Sequence, residues 1–67
     1  MSLSLTNKGK TAKRDTISDL DTVINNINSA IDHLQMCKGI GAEQYIAKLQ
    51  SLAGIYEGIR RCISSLN

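Results

Sequence analysis

The chain contains no proline, no phenylalanine and no tryptophan, and only two tyrosines. Without proline, nothing in it breaks a helix outright. Without Phe or Trp, Ile and Leu must supply most of the apolar mass, which suits a helical seam better than an aromatic globular core. Cys37 and Cys62 are the two thiols, and His33 is the one histidine. That is too few for a disulfide scaffold and too few for a closed zinc site, which takes four protein ligands or three plus water. His33 and Cys37 stand four apart, but no second pair exists to complete a site. No apolar run approaches the ~20 residues that span a bilayer. Leu3 and Leu5 are isolated, so the opening residues have no apolar signal region. These absences lead us to expect a soluble, cytoplasmic chain without a membrane span.

What is present must then work at small scale. Sixty-seven residues make one domain at most. A chain this short buries only about 60% of the surface its unfolded form exposes. Its core rarely supplies more than about 3–5 kcal/mol unaided. With neither disulfides nor a metal in view, association is the expected addition. The net charge of +2 is unevenly spread. Residues 1–14 hold Lys8, Lys10, Lys13 and Arg14 and no acid, whereas residues 15–67 hold four bases and six acids. The mildly acidic remainder argues against a nucleic-acid surface there. Residues 1–14 have no apolar period and read as a flexible basic tail.

The strongest periodicity lies between Gly41 and Leu66. Ala42, Tyr45, Leu49, Leu52, Tyr56, Ile59, Ile63 and Leu66 alternate spacings of three and four. That is a heptad seam, the mark of a helix packed lengthwise on another. A second seam precedes it: Ile17, Leu20, Ile24, Ile27, Ile31 and Leu34. Thr16 with Asp19 three residues on fits a capping box, so the first helix is expected to open near Thr16, with an earlier start near Thr11 or Ala12 left open because Ala12 to Arg14 are acceptable helix formers. Asp15, Asp19 and Asp21 would favour the positive end of its dipole. Lys38 followed by Gly39 fits its C-terminus, with Gly39 in a left-handed cap.

The fold expected is therefore all-α: an antiparallel two-helix coiled-coil hairpin. Helix one runs over about 16–38, a turn over 39–41, and helix two over about 42–66. The pairs Leu34/Tyr45, Ile31/Leu49, Ile27/Leu52, Ile24/Tyr56, Leu20/Ile59 and Ile17/Ile63 have numbers that add to about 80, so the seams close on each other. Short connections of this kind make the two helices antiparallel neighbours.

Two helices cover only one stripe on each other. Val23, Ala30 and Cys37 form a spare row on helix one; Ile46 with Ala53, and Ile55 with Cys62, form spare rows on helix two. Such edges call for a further helix. Gly54 and Gly58 lie four apart, with Ala47 one heptad before Gly54. They read either as a place where another backbone comes close or as tolerated exposed positions.

No chemistry-bearing constellation emerges. In the hairpin Cys37 and Cys62 lie about 28 Å apart at ~1.5 Å per residue, beyond the ~7 Å between Cα atoms that a disulfide allows. Both read as reduced thiols. The carboxylates do not pair, and there is no strand to carry a phosphate loop. A two-helix chain offers no enclosed pocket in which to shift a pKa. The chain is expected to be no enzyme and to carry no cofactor.

The segment Gly41-Ala42-Glu43-Gln44-Tyr45, opening the second helix after a glycine turn, resembles the YscE-like needle-subunit co-chaperones of bacterial type III secretion systems. Gln44 and Tyr45 match that family's Gln-Tyr pair, and Leu52, Ala53, Ile55 and Ile59 match its apolar stripe. The resemblance covers roughly residues 16–67. It implies a short bacterial cytoplasmic hairpin that stabilises a larger tetratricopeptide-like chaperone. Together the two would hold the needle-forming subunit as a soluble monomer before secretion.

The partner-binding face expected is Tyr45, Ile46, Leu49, Ala53, Ile55, Tyr56 and Ile63, because helix two has spare rows on both sides of its seam. Two other readings stand beside this one. The chain could be a structural homodimer forming a four-helix bundle, or a small nucleic-acid-binding regulator using residues Lys8 to Arg14 as an arm.

Overall fold

The computed structural model describes residues 4–67. Among them are two helices and no strand: α1, Asn7–Gln35, and α2, Glu43–Ser64. They pack on each other as an antiparallel hairpin, 55 × 19 × 9 Å. The expected fold class is the one observed.

The first helix starts earlier than expected. Thr6 is its N-cap, in extended conformation, and its Oγ1 accepts a hydrogen bond from the Gly9 amide at 3.0 Å. Residues 7–14, read above as part of a tail, form the opening turns of α1. Thr16, the expected cap, lies inside the helix, and its hydroxyl donates to the Ala12 carbonyl one turn back. A threonine hydroxyl can satisfy itself on the preceding turn, so a Thr-x-x-Asp pattern is compatible with mid-helix placement. No acidic residue stands in the true first turn.

Because α1 is the longer helix, its first turns overhang the end of α2. The last residues of the chain meet that overhang. The Leu5 amide donates to the Asn67 carbonyl at 2.6 Å, and Lys13 Nζ donates to the Leu66 carbonyl at 2.8 Å. The second bond places a cation on a carbonyl just past the C-terminal end of α2, where the helix dipole favours positive charge.

The connection is longer than the three residues expected. Helix α1 stops at Gln35 with Met36 as its C-cap, and turns fill the chain up to Gly41. Gly39 and Gly41 have φ of +91° and +98°, a region that side chains with a Cβ rarely enter. Gly39 does take the expected left-handed conformation, but beyond the helix end. Ala42 is the N-cap of α2 and has no side chain to cap with. Glu43 supplies the missing link: its Oε1 accepts from the Gly39 amide at 2.5 Å, which ties the loop to the first turn. The Gly39 amide, the largest influence, then the Glu43 and Gly41 amides and the Lys38 charge, hold the Glu43 carboxyl below its ordinary value.

The core is Ile27, Ile31, Ala42, Ile46 and Ala53, with Val23, Leu34, Cys37, Leu49 and Tyr56 packed around it. Ile24 is buried further along α1. The α1 seam is the one expected. The α2 seam is rotated by one position. Leu49, Tyr56 and Ile63 stay half-buried in it, but Ile46 and Ala53 replace Tyr45 and Leu52, which are exposed together with Ile59 and Leu66.

Size and charge account for the rotation. Leu49, Tyr56 and Ile63 belong to both possible seams, so periodicity alone does not choose between them. The observed choice sets small Ala42 and Ala53 against the isoleucines of α1, and large-against-small packing lets two helices approach closely. It also brings Arg60 into line with Asp21. Arg60 Nε donates to Asp21 Oδ1 at 2.5 Å, and Nη2 donates to Oδ2 at 3.3 Å. This bond, and then the carboxylate's charge, raise the Arg60 pKa above its ordinary value. Both partners remain about half exposed, so the pair serves register more than stability. The paired numbers still add to about 80, now with Ile46, Leu49, Ala53, Tyr56, Arg60 and Ile63 opposite Leu34, Ile31, Ile27, Ile24, Leu20 and Ile17.

Candidate docking face

Rotation of α2 turns a second complete row outward. Tyr45, Lys48, Leu52, Ile55, Ile59 and Cys62 alternate spacings of three and four, the same period as the buried row beside them, and Leu66 continues the spacing just past the helix end. All seven are exposed. Ile55 and Tyr45 are more than half exposed, at 59% and 53%. Lys48 Nζ lies 5.9 Å from the centre of the Tyr45 ring, a cation over an aromatic face.

Beside this row runs a line of small residues: Ala47, Ser51, Gly54 and Gly58, spaced four, three and four. A Cβ built on Gly54 or Gly58 would meet nothing within 4 Å. Neither glycine therefore serves a close approach inside the hairpin. Ala47, Lys48, Ser51, Leu52 and Ile55 together line a shallow depression of about 330 Å³. What this surface can do chemically is bind. It offers aliphatic side chains around a hollow, with one cation at the rim.

The seven residues expected at a partner surface divide between inside and outside. Tyr45 and Ile55 are exposed on the outward row. Leu49, Tyr56 and Ile63 are half-buried between the helices. Ile46 and Ala53 are buried, at 5% and 6%, and belong to the hairpin's own core. Leu52, Ile59 and Leu66, expected in the inner seam, stand outside it, and Lys48 joins them there. The signal for them was present: the row 45/48/52/55/59/62/66 is a heptad line in its own right, interrupted only by Lys48.

Two smaller features lie elsewhere. Leu5, Lys10, Lys13, Arg14, Ile17, Leu66 and Asn67 surround a hollow of about 390 Å³ at the open end of the hairpin. Three of its lining residues are cations, but Lys13 already donates to Leu66 and Arg14 lies 3.8 Å from Asp15. At the turn end, Met36 and Ile40 are exposed at 88% and 82%. Both cysteines are free, Cys37 half-buried and Cys62 exposed. Among the described residues no three His, Cys, Asp or Glu side chains gather where a metal could sit. None of the described helices is long and apolar enough to cross a membrane.

Comparison of the chain with protein-family models, curated proteins and solved structures yields no match.

Proposed function

We propose that the chain is a non-enzymatic binding module that docks on a larger helical partner through the outward row of α2. The observation that supports this reading is the row itself: Tyr45, Leu52, Ile55 and Ile59, exposed in line along a helix whose other apolar row is already occupied. Full burial of one such side chain contributes about 1.5–3 kcal/mol. Several half-exposed ones covered together suffice to hold two proteins.

The partner proposed is a tetratricopeptide-like chaperone of a bacterial type III secretion system. The two would act in the cytoplasm to keep the needle-forming subunit soluble and monomeric. This finer reading rests on the resemblance in residues 41–45. Gly41 has the positive φ of a turn glycine, and Gln44 and Tyr45 lie in the first turn of α2. Tyr45 is thus presented at the head of the docking row.

The test is capture from lysate of the native bacterium with the tagged chain, beside its Ile55→Asp and Leu52→Asp variants. The expected result is recovery of a helical-repeat chaperone and a small needle-type protein by the unaltered chain. Both variants should lose them while keeping full helicity by circular dichroism. Undiminished capture by both variants would overturn the assignment of the face. Recovery of neither protein by the unaltered chain would overturn the secretion reading.

A further inference from the structure

The outward row of α2 is half of a wider face. At ~100° of rotation per residue, Val23 and Ala30 of α1 fall on the same side of the two-helix ribbon as Leu52, Ile55 and Ile59. Asp21 and Glu57 fall on the other side. The apolar side chains outside the seam are therefore gathered mainly on one side of the ribbon, with Asp19 and Lys48 among them. No described side chain is fully covered, and even the core isoleucines keep 5–8% of their surface exposed. The chain of 7.3 kDa exposes 5160 Å². A compact monomer of that mass exposes about 4200 Å². The excess, about 1000 Å², exceeds the ~800 Å² that each partner contributes to a stable interface.

We propose that, when no larger partner is present, this face is covered by a second copy of the chain. In that dimer α2 lies antiparallel to α2 of the partner copy, with Ile55 on the two-fold axis. A two-fold interface needs a self-complementary surface, in which residue i meets j and j meets i. The outward row satisfies this about Ile55. Leu52 then meets Ile59, and Lys48 meets Cys62. A parallel pairing in the same register would set Lys48 against its own copy, two like charges in an apolar line. The antiparallel pairing removes that repulsion and opposes the helix dipoles. Ser51 and Gly58 flank Ile55 a turn away on either side, and neither carries bulk that would hold a second backbone off. Two hairpins joined in this way make a four-helix bundle. The pairing uses the row assigned above to a larger partner but does not rest on that reading. Both occupants cannot be present at once, so docking on the larger partner must displace the second copy.

The test uses the full chain. Sedimentation equilibrium from micromolar to millimolar concentration is expected to show a monomer–dimer equilibrium. With serine at positions 37 and 62, Ile55→Cys is expected to form a disulfide-linked dimer on mild oxidation. Its rate should be about tenfold or more above that of Gln50→Cys on the other side, because the interface raises the local thiol concentration. Leu52→Cys and Ile59→Cys should each link slowly alone and readily when mixed. A monomer throughout the concentration range would overturn the proposal. So would a dimer in which Ile55→Cys links no faster than Gln50→Cys. Either failure leaves capture of a larger partner as a separate result, so the two readings fail independently.

Discussion

Ile46 and Ile55 carry the same side chain on the same helix, yet one is 5% exposed and the other 59%. Each belongs to a row of heptad period, and both rows are largely apolar. What separates them is α1. It meets the row that contains Ala42, Ala53 and Arg60, because small residues admit its isoleucines and Arg60 reaches Asp21. It leaves bare the row that contains Leu52, Ile55 and Ile59. Hydrophobic period thus identifies the rows a helix can bury. Side-chain size and one ion pair decide which row its own chain takes and which is left exposed.

The largest expected effect comes from placing a charge in each row. Ile46→Asp buries an uncompensated carboxylate in a core that holds only a few kcal/mol, so the hairpin should not fold. Ile55→Asp faces water and should change stability by no more than about 0.5 kcal/mol. Thermal melts followed by circular dichroism check both. Similar melting of the two variants would erase the distinction between the rows.

Enlarging a side chain should have a smaller effect of the same kind. Ala53→Leu overfills the contact with α1 and is expected to cost about 1–3 kcal/mol. Ala47→Leu, on the exposed small-residue line, should cost almost nothing in urea titrations of the monomer. It should nonetheless weaken any association through that side.

Gly54→Ala reverses the sign. Nothing stands within 4 Å of the added methyl, and alanine in a helix is favoured over glycine by about 0.5–1 kcal/mol. The isolated chain should melt higher. If a second backbone approaches there, the same change should weaken the complex, and comparing melts with binding separates the two effects.

The smallest effect is expected at the turn. Glu43 is held below its ordinary pKa by the amides around it, chiefly that of Gly39. A depressed carboxyl contributes stability above its unfolded value and loses it as pH falls through the folded one. Glu43→Gln should therefore melt slightly lower than the unaltered chain at neutral pH. The gap should close below the ordinary carboxylate range. A pH series of melts reads it, and a constant gap would contradict the link between Glu43 and Gly39.

Much of the hairpin was legible because both helices keep strict period and Gly39 marks the turn. The α1 seam could be read residue by residue. The start of α1 could not. Thr6 caps it without an acidic partner three residues on, and Gly9 weakens the local helix signal, whereas Thr16-x-x-Asp19 imitates a cap in mid-helix. The α2 seam was ambiguous for a different reason. Leu49, Tyr56 and Ile63 fit either row, and only contact with α1 breaks the tie. Hence Tyr45 and Ile55 of the expected docking residues lie outside, while Ile46 and Ala53 lie within.

Thiol labelling tests the opposite fates of the two rows most directly. With serine at positions 37 and 62, Ile46→Cys and Ile55→Cys are compared at low protein concentration with a small alkylating reagent. The structure predicts that Cys at 55 reacts at the rate of an unfolded control. Cys at 46 should react at least about tenfold more slowly, because it is reached only when the hairpin opens. Raising the protein concentration should then slow position 55 and leave position 46 unchanged. Equal rates at the two positions, or the faster rate at 46, would contradict the account.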